Sequence, residues 1–505
     1  MSLAAPAFRT HCHRDAACSS VTEVRSVELK FCYGFMGDWT GRIRAMNKSF
    51  GSHFLTVGSL TAASEPDVAP RVPGRELVRA TTLANGLKIV VWPVHDIPNV
   101  ALNNWVRAGS RNESPGITGL AHFFEHMMFN GTTRRQPGEF DRLMEAQGGA
   151  NNAFTSDDVT VYQDWFPRNA LELVLDLESD RVANLAFAPA VIESERGVVY
   201  SERRLRVEDN NQGMLSEQVQ ATAFVAHPYR FPTIGWPADI QTWRMEDLQQ
   251  FFKTYYAPNN LTLVLAGDLV PEQVFELARR YFESIPRQAP PEEIKSPEPE
   301  QLGERHFVIK RKAQTPLLQY AYKAPAAADS RGPAVNLLLS ILVDGDSSRL
   351  HRQLVEETQL AIEVGGHWQE GFDPGLLWLF LTLPEGADVD EVQAAVDTEL
   401  ADIVEHGVTD AELARAKNMT AAGFWKKLAT IDGKAQLLGE YEIFHGDWLK
   451  LFDAPALFDK VTRAQVQSAA REILDKRRRT VGVLVPEDAA ASPEDTAALP
   501  EDTGA

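Results

Sequence analysis

Cysteine is nearly missing from this chain of 505 residues: Cys12, Cys18 and Cys32 stand near the start and none follows. A thiol nucleophile and a disulfide framework are therefore excluded from everything beyond residue 32, a body that an oxidising compartment would tolerate. There is no run of about 20 apolar residues either, which excludes a transmembrane helix. Positive charge is also scarce. Lys and Arg number 50 against 70 Asp and Glu, a formal net charge of −20. Nucleic acid and anionic membrane surfaces both call for a basic face, so neither is expected as the main partner.

What is present is ordinary for folded globular protein, 44% hydrophobic and 24% charged. The length exceeds one compact core, so two or more domains are expected. Residues 1–75 hold every cysteine, lack a helical or strand period and end in the turn-rich stretch Ala63 to Gly74; they read as a disordered leader. Its His11-Cys12-His13 has no second cluster at a useful spacing and reads as chance. From Met46 to Ser64 the leader carries one Lys, a short apolar stretch and then small residues, a weak signal-peptide pattern. If translation starts internally at Met46, that pattern predicts export, into the periplasm of a Gram-negative cell, with a cytoplasmic location as the alternative.

Beyond the leader, strand patterns at Gly86–Val94, Val100–Arg107, Val159–Phe166 and Leu261–Gly267 mix with helical ones, without strict βαβ alternation. This predicts a layered α+β domain over residues 76–287. A Pro- and Glu-rich linker over 288–302 leads to a second domain, 303–487, with strands at His306–Lys310, Leu317–Tyr322, Leu376–Leu383 and Thr480–Val485. Its element order resembles that of the first half, as a diverged duplication would. Residues 488–505, rich in Ala, Pro and acid, read as a disordered tail.

The stretch Gly119-Leu-Ala-His-Phe-Phe-Glu-His-Met-Met-Phe129 stands out. As a helix it is apolar almost all round and belongs in a core. Its polar exceptions are His122, Glu125 and His126. At about 100° per residue, His126 lies some 40° from His122 and Glu125 about 60° the other way, so all three share a face. Two imidazoles one turn apart suit a single metal ion, with a carboxylate beside them to take a proton from water. The pattern is His-x-x-Glu-His, the reversed zinc-protease motif.

Catalytic zinc takes three protein ligands, so one is still needed. A helix after Pro189 carries Glu193, Glu195 and Glu202. Glu195 and Glu202 are seven apart, about 20° off one line and roughly 10 Å apart along the axis. Both can face the site, but only one can readily reach the ion, and the spacing does not say which. The other would orient a ligand or substrate. Most Glu-rich helix faces are merely solvated and paired with Arg; the neighbouring histidine helix is what argues otherwise.

His122-Phe-Phe-Glu125-His126, then Asn130-Gly131-Thr132, Asn152-Ala153-Phe154-Thr155 and Glu195-Arg-Gly-Val-Val-Tyr-Ser-Glu202, together resemble the pitrilysin-like M16 zinc peptidases. That family includes the mitochondrial processing peptidase and insulin-degrading enzyme. His227-Pro-Tyr-Arg230, Tyr256-Ala-Pro-Asn-Asn260 and Ala266-Gly-Asp268 agree, and the resemblance runs from about residue 76 to 486. It implies two homologous layered α/β sandwich domains forming one half of a clamshell. It implies one zinc per chain, held by His122, His126 and Glu202, with Glu125 as general base and Glu195 as the orienting carboxylate. It further implies that Asn152, Ala153, Phe154 and Thr155 lie on a strand that pairs with an extended peptide substrate.

The second half of such proteins often carries an Arg and a Tyr seven residues apart that hold substrate. The matching segment here, Ser348 to Ile362, has Val355 and Ile362 at those places, and neither side chain can donate a hydrogen bond. The expectation is therefore an endopeptidase acting on oligopeptides or unfolded segments inside a closed chamber. A homologous subunit would supply Arg and Tyr in trans, with a homodimer as the other assembly. Arg349 and Arg352 lie nearby but read as surface ion pairs. The alternative function is a non-catalytic scaffold subunit of a larger complex.

Overall fold

The computed structural model describes residues 71–487. The leader expected to be disordered, as far as residue 70, its His11–His13 cluster, the signal-like segment from Met46 and the tail from residue 488 lie outside the described residues. Val72 is buried, and its N–H donates to Phe452 O at 3.0 Å.

The first sheet is built from β1 (Arg79–Thr82), β2 (Lys88–Pro93), β3 (Asn99–Val106), β4 (Ala150–Thr155), β5 (Thr160–Pro167) and β6 (Leu261–Gly267), in the order β1-β2-β6-β3-β5-β4. The second is built from β7 (Arg305–Arg311), β8 (Leu317–Lys323), β9 (Glu363–Trp368), β10 (Leu376–Thr382) and β11 (Arg479–Pro486), in the order β7-β11-β8-β10-β9. One parallel pair occurs in each, β2 with β6 and β7 with β11; every other pairing is antiparallel. Strand for strand, β2-β6-β3-β5-β4 matches β7-β11-β8-β10-β9. The two domains are thus copies of one α+β topology, with β1 an addition to the first.

Alternation along β3 shows how the layers form. Val100, Leu102 and Val106 join the core shared with the helices Leu120–Met127, Leu171–Asn184 and Pro271–Phe282. Ala101 and Trp105 point to the opposite face and pack with Ala435 and Leu438 of the helix Ile431–Phe444. That helix comes from the second half of the chain. Reciprocally, Leu215, Val219 and Ala223 of the helix Asn211–Ala223, from the first half, pack on Ala321, Leu376, Trp378 and Leu484 of the second sheet. Each domain lends a helix to the back of the other's sheet. The approach is close: a Cβ added at Gly439 would stand 2.1 Å from Trp105 Nε1.

No helix or strand falls between Phe282 and Arg305. The linker is nevertheless tied down. Glu298 accepts from the backbone N–H of Val225, Ala226 and His227 at 3.0–3.1 Å, and Gln301 Nε2 donates to Arg479 O at 2.7 Å. Among the described residues no helix is long and apolar enough to cross a membrane.

Candidate metal centre

All eight residues of the helix Leu120–Met127 are buried. Thr118, just before the helix, is of a type that often caps one; the cap position is instead Gly119, left-handed at φ 88°. Burial explains the difference. A helix start shut off from water needs acceptors for several N–H groups at once. Glu113 supplies them, its carboxylate accepting from Gly119 N at 2.7 Å and Ala121 N at 2.8 Å. Burial pushes the Glu113 carboxyl well above the usual carboxylate range, against the pull of those two N–H groups. Thr118 Oγ1 donates to Asp239 instead, at 2.7 Å.

His122 and His126 meet ring to ring, with their Nε2 atoms 3.3 Å apart. Glu202, from the helix Pro189–Arg203, brings Oε2 to 3.5 Å from His122 Nε2 and 3.3 Å from His126 Nε2. One ligand atom from each of the three residues lies within 4.8 Å of the others. The other Glu202 oxygen pairs with Arg206 at 2.9 Å. Glu195 stands behind His126: Oε1 is 2.7 Å from Nδ1, and Oε2 accepts from Asn130 Nδ2 at 2.8 Å. A neutral His126 therefore carries its proton on Nδ1 and turns the Nε2 lone pair toward His122 and Glu202.

The electrostatics follow from this packing. Burial lowers the His122 pKa, and the neighbouring His126 lowers it further, against Glu125 and Glu202. At His126 burial pulls the same way but is outweighed by the carboxylates of Glu195 and Glu202, which carry it up to about 9. Burial acts to raise Glu202, yet its contacts with His126, His122 and Arg206 hold it down at about 2.

The donor set fits zinc. Tetrahedral N and O ligands at about 2.0–2.1 Å from an ion stand roughly 3.3–3.4 Å from each other, close to the spacings of 3.3, 3.3 and 3.5 Å. Glu202 Oε2 is also buried without a hydrogen-bond partner, an uncompensated position that a cation would relieve.

Glu125 is buried on the same helix, and Thr155 Oγ1 donates to its Oε2 at 2.5 Å. Thr155 ends β4, the edge strand of the first sheet, whose neighbour in the strand order is β5. Asn152, Ala153 and Phe154 lie on the same strand. The Phe154 ring stands edge-on to Trp105 at 6.4 Å, on the face covered by the helix Ile431–Phe444. It is turned away from the histidine helix, whose core Ala153 joins.

In the second domain Val355 is partly buried against the core and Ile362 is 56% exposed, immediately before β9. Arg352 makes the expected exposed ion pair, with Glu357 at 3.5 Å. Arg349 does not. It is buried, bridging Glu412 and Asp402 at 2.7 Å each and donating to Gly407 O at 2.9 Å. Its guanidinium ties three segments of the second domain together, which a surface pair could not do.

Two regions of the chain match family profiles. Residues 92–235 match the one described as insulinase (peptidase family M16), and residues 242–420 the one described as peptidase M16 inactive domain. The second begins before β6, so it does not follow the division between the sheets. The zinc protease PqqE of Helicobacter pylori is 30% identical over 412 residues, covering 81% of this chain and 92% of that protein. An uncharacterized zinc protease of Mycobacterium leprae is 29% identical over 79% of this chain and 89% of its own length. Among solved structures, a protease from H. pylori superposes with a TM-score of 0.78 at 29% identity, covering 81% of this chain and 99% of the other. A peptidase M16 inactive domain from Pseudomonas fluorescens shares the fold with a TM-score of 0.74 at 20% identity. With both profiles in tandem and relatives matched over nearly their whole length, the chain belongs to the pitrilysin-like M16 peptidase family.

Proposed function

We propose that this chain is a zinc-dependent endopeptidase cleaving oligopeptides or unfolded segments, and the zinc-bearing half of a two-subunit chamber. The observation that carries the reading is the convergence of His122, His126 and Glu202, with Glu195 setting the His126 tautomer. His122, His126 and Glu202 would hold one ion per chain. When bound, zinc supplies Lewis acidity toward a water molecule and the scissile carbonyl. Glu125 takes the proton of the attacking water, while Thr155 holds one oxygen of its carboxylate in place. Substrate binding by strand addition along Asn152–Thr155 belongs to the same reading, β4 being last in the strand order among the described residues.

The two working domains are residues 76–287 and 303–487, joined by 288–302. Val355 and Ile362 offer no hydrogen-bond donor, so a homologous subunit would provide the Arg and Tyr, a second copy being the alternative assembly. Export, carried by Met46 to Ser64, belongs to the same reading.

Metal analysis and one variant test it. The full chain is expected to bind about one zinc, and Glu125→Gln to keep the metal while losing peptide cleavage. Retained cleavage would remove Glu125 from the role of base, and a chain that binds no zinc would favour the scaffold reading. Addition of a homologous subunit carrying Arg and Tyr is expected to raise cleavage; equal rates with and without it would refute the divided site.

A further inference from the structure

Residues Ser156–Val159 close the β4–β5 hairpin, with Ser156 N–H donating to Val159 O at 2.8 Å. The hairpin carries two acids that turn inward, Asp157 and Asp158, and buried carboxylates need partners. Here the partners come from far along the chain. Asp157 accepts from Ser110 Oγ at 3.1 Å, Gln220 Nε2 at 3.2 Å and Gln369 Nε2 at 2.5 Å. Asp158 accepts from Tyr229 Oη at 2.8 Å to each oxygen and from Phe372 N at 3.2 Å, and pairs with Arg111 Nε at 3.2 Å.

Gln369, Phe372 and Asp373 all belong to the loop between β9 and β10, in the second domain. Asp373 completes the ring of contacts. It pairs with Arg111, and its N–H donates to Tyr229 Oη at 3.2 Å. It also accepts from His227 Nε2 at 3.1 Å, a direction fixed because His227 Nδ1 accepts from Tyr229 N. At the centre sits Gly371, where a Cβ would stand 2.3 Å from Tyr229 Oη and 2.6 Å from Asp158 Oδ2. Neither neighbour can give way, since both Tyr229 and Asp158 are buried.

We propose that this loop, Gln369–Asp373, is a positioning element for the active site of the other domain: by gripping Asp157 and Asp158 it fixes the end of β4, and with it Thr155 and the Glu125 carboxylate that Thr155 holds. The inference rests on the peptidase reading given above. Thr155 is two residues from Asp157 on the same hairpin, so a displaced turn moves its hydroxyl directly. The loop's contacts run to Asp157, Asp158, Tyr229, His227 and Arg111, so its action on Glu125 is through Thr155. The half of the chain matched by a profile named inactive would then contribute to catalysis by holding the strand on which the base depends.

The test uses the full-length chain, in the assembly that cleaves a fluorogenic peptide, with Gly371→Ala, Gln369→Ala and Thr155→Val. Gly371→Ala is expected to keep its zinc and to lose kcat on the order of 10²-fold, with KM moving less, as a displacement of about 1 Å would do. Gln369→Ala, which removes one amide and adds no bulk, is expected to lose about tenfold and carries the test if Gly371→Ala fails to fold. Combining either with Thr155→Val is expected to cost no more than the larger single loss, because both act through one carboxylate. Loop variants with kcat within about twofold of wild type, or losses that multiply in the double variants, would overturn the proposal. A wild-type chain that binds no zinc and cleaves nothing would overturn the peptidase reading first, and the proposal with it.

Discussion

Replacing Glu195 by Gln perturbs the metal centre without touching a proposed ligand. Glu195 uses both oxygens as acceptors, one toward His126 Nδ1 at 2.7 Å and one from Asn130 Nδ2 at 2.8 Å. A Gln of the same shape offers one acceptor and one donor. With its oxygen toward His126, its amide N–H groups meet those of Asn130, donor against donor. Turned round, its amide donates to Nδ1 and moves the imidazole proton to Nε2, the nitrogen that faces His122 and Glu202. The first arrangement leaves a donor unsatisfied, at a cost of about 1–3 kcal/mol; the second puts a proton on the nitrogen that would hold the metal. Loss of an orienting partner behind a ligating histidine weakens metal binding roughly 10–100-fold, which is about 1.4–2.7 kcal/mol. The two estimates agree. Glu195→Gln is therefore expected to lower zinc affinity by about one to two orders of magnitude, read by competition with a chromogenic chelator. Its melting temperature in excess zinc should stay near that of wild type. Wild-type zinc affinity in this variant would mean that the carboxylate does not set the His126 tautomer, and the reasoning would fall.

Two further outcomes follow from the packing. Gly439→Ala drives a methyl into Trp105 Nε1, 2.1 Å away, where both helix and sheet are buried; the expected loss is about 1–3 kcal/mol, as for other overpacked cores. An unchanged urea midpoint would show that the lent helix can ride away from the sheet. For Asp158, burial pushes the carboxyl up to about 7 in spite of the Arg111 guanidinium. The folded state then holds this proton more tightly than the unfolded chain. Stability is greatest below the ordinary carboxylate range, falls as pH rises from about 4 to about 7, and is level above that. Asp158→Asn is expected to flatten this interval, by up to about 1.4 kcal/mol per pH unit. Denaturant titrations at several pH values measure the slope, and a variant that keeps it would assign the effect to another group.

The cluster of His122, His126 and Glu202 was legible because helix geometry converts sequence spacing into direction. His122, Glu125 and His126 share a face by rotation alone, and the pair Glu195 and Glu202 falls on one line of a second helix. Rotation could not say which glutamate meets the rings. That depends on the distance between two helices, and the structure puts Glu202 Oε2 at 3.3 and 3.5 Å from the two Nε2 atoms while Glu195 takes the far side of His126. The cap is not legible for a related reason. Ser or Thr before a helix is a local signal, whereas the acceptor here comes from Glu113, beyond a turn. β9 was missed because Gly365-Gly366 interrupts its strand pattern, and the pairing with β10 that makes it a strand is not local. The contact between Asp157 and Gln369 spans 212 positions, and no periodicity reports it.

The lent helices carry this point furthest. The helix Asn211–Ala223 presents Leu215 and Val219 at the spacing of a buried face, but an apolar stripe does not name the surface that will cover it. It lies in the first half of the sequence and packs on the second sheet; Ile431–Phe444 does the reverse. The Pro- and Glu-rich segment over 288–302 is therefore a boundary in composition rather than in packing. Cutting there would strip each sheet of the helix behind it and expose Trp105, Val90 and Val264 on one side and Ala321, Leu376 and Leu484 on the other. Contiguous apolar surface of that kind does not stay soluble. A duplicated fold that has exchanged helices has also given up separable halves, which is why residues 71–487 fall within one compact unit. It is also why a loop of the second domain can reach the strand beside the candidate metal centre of the first.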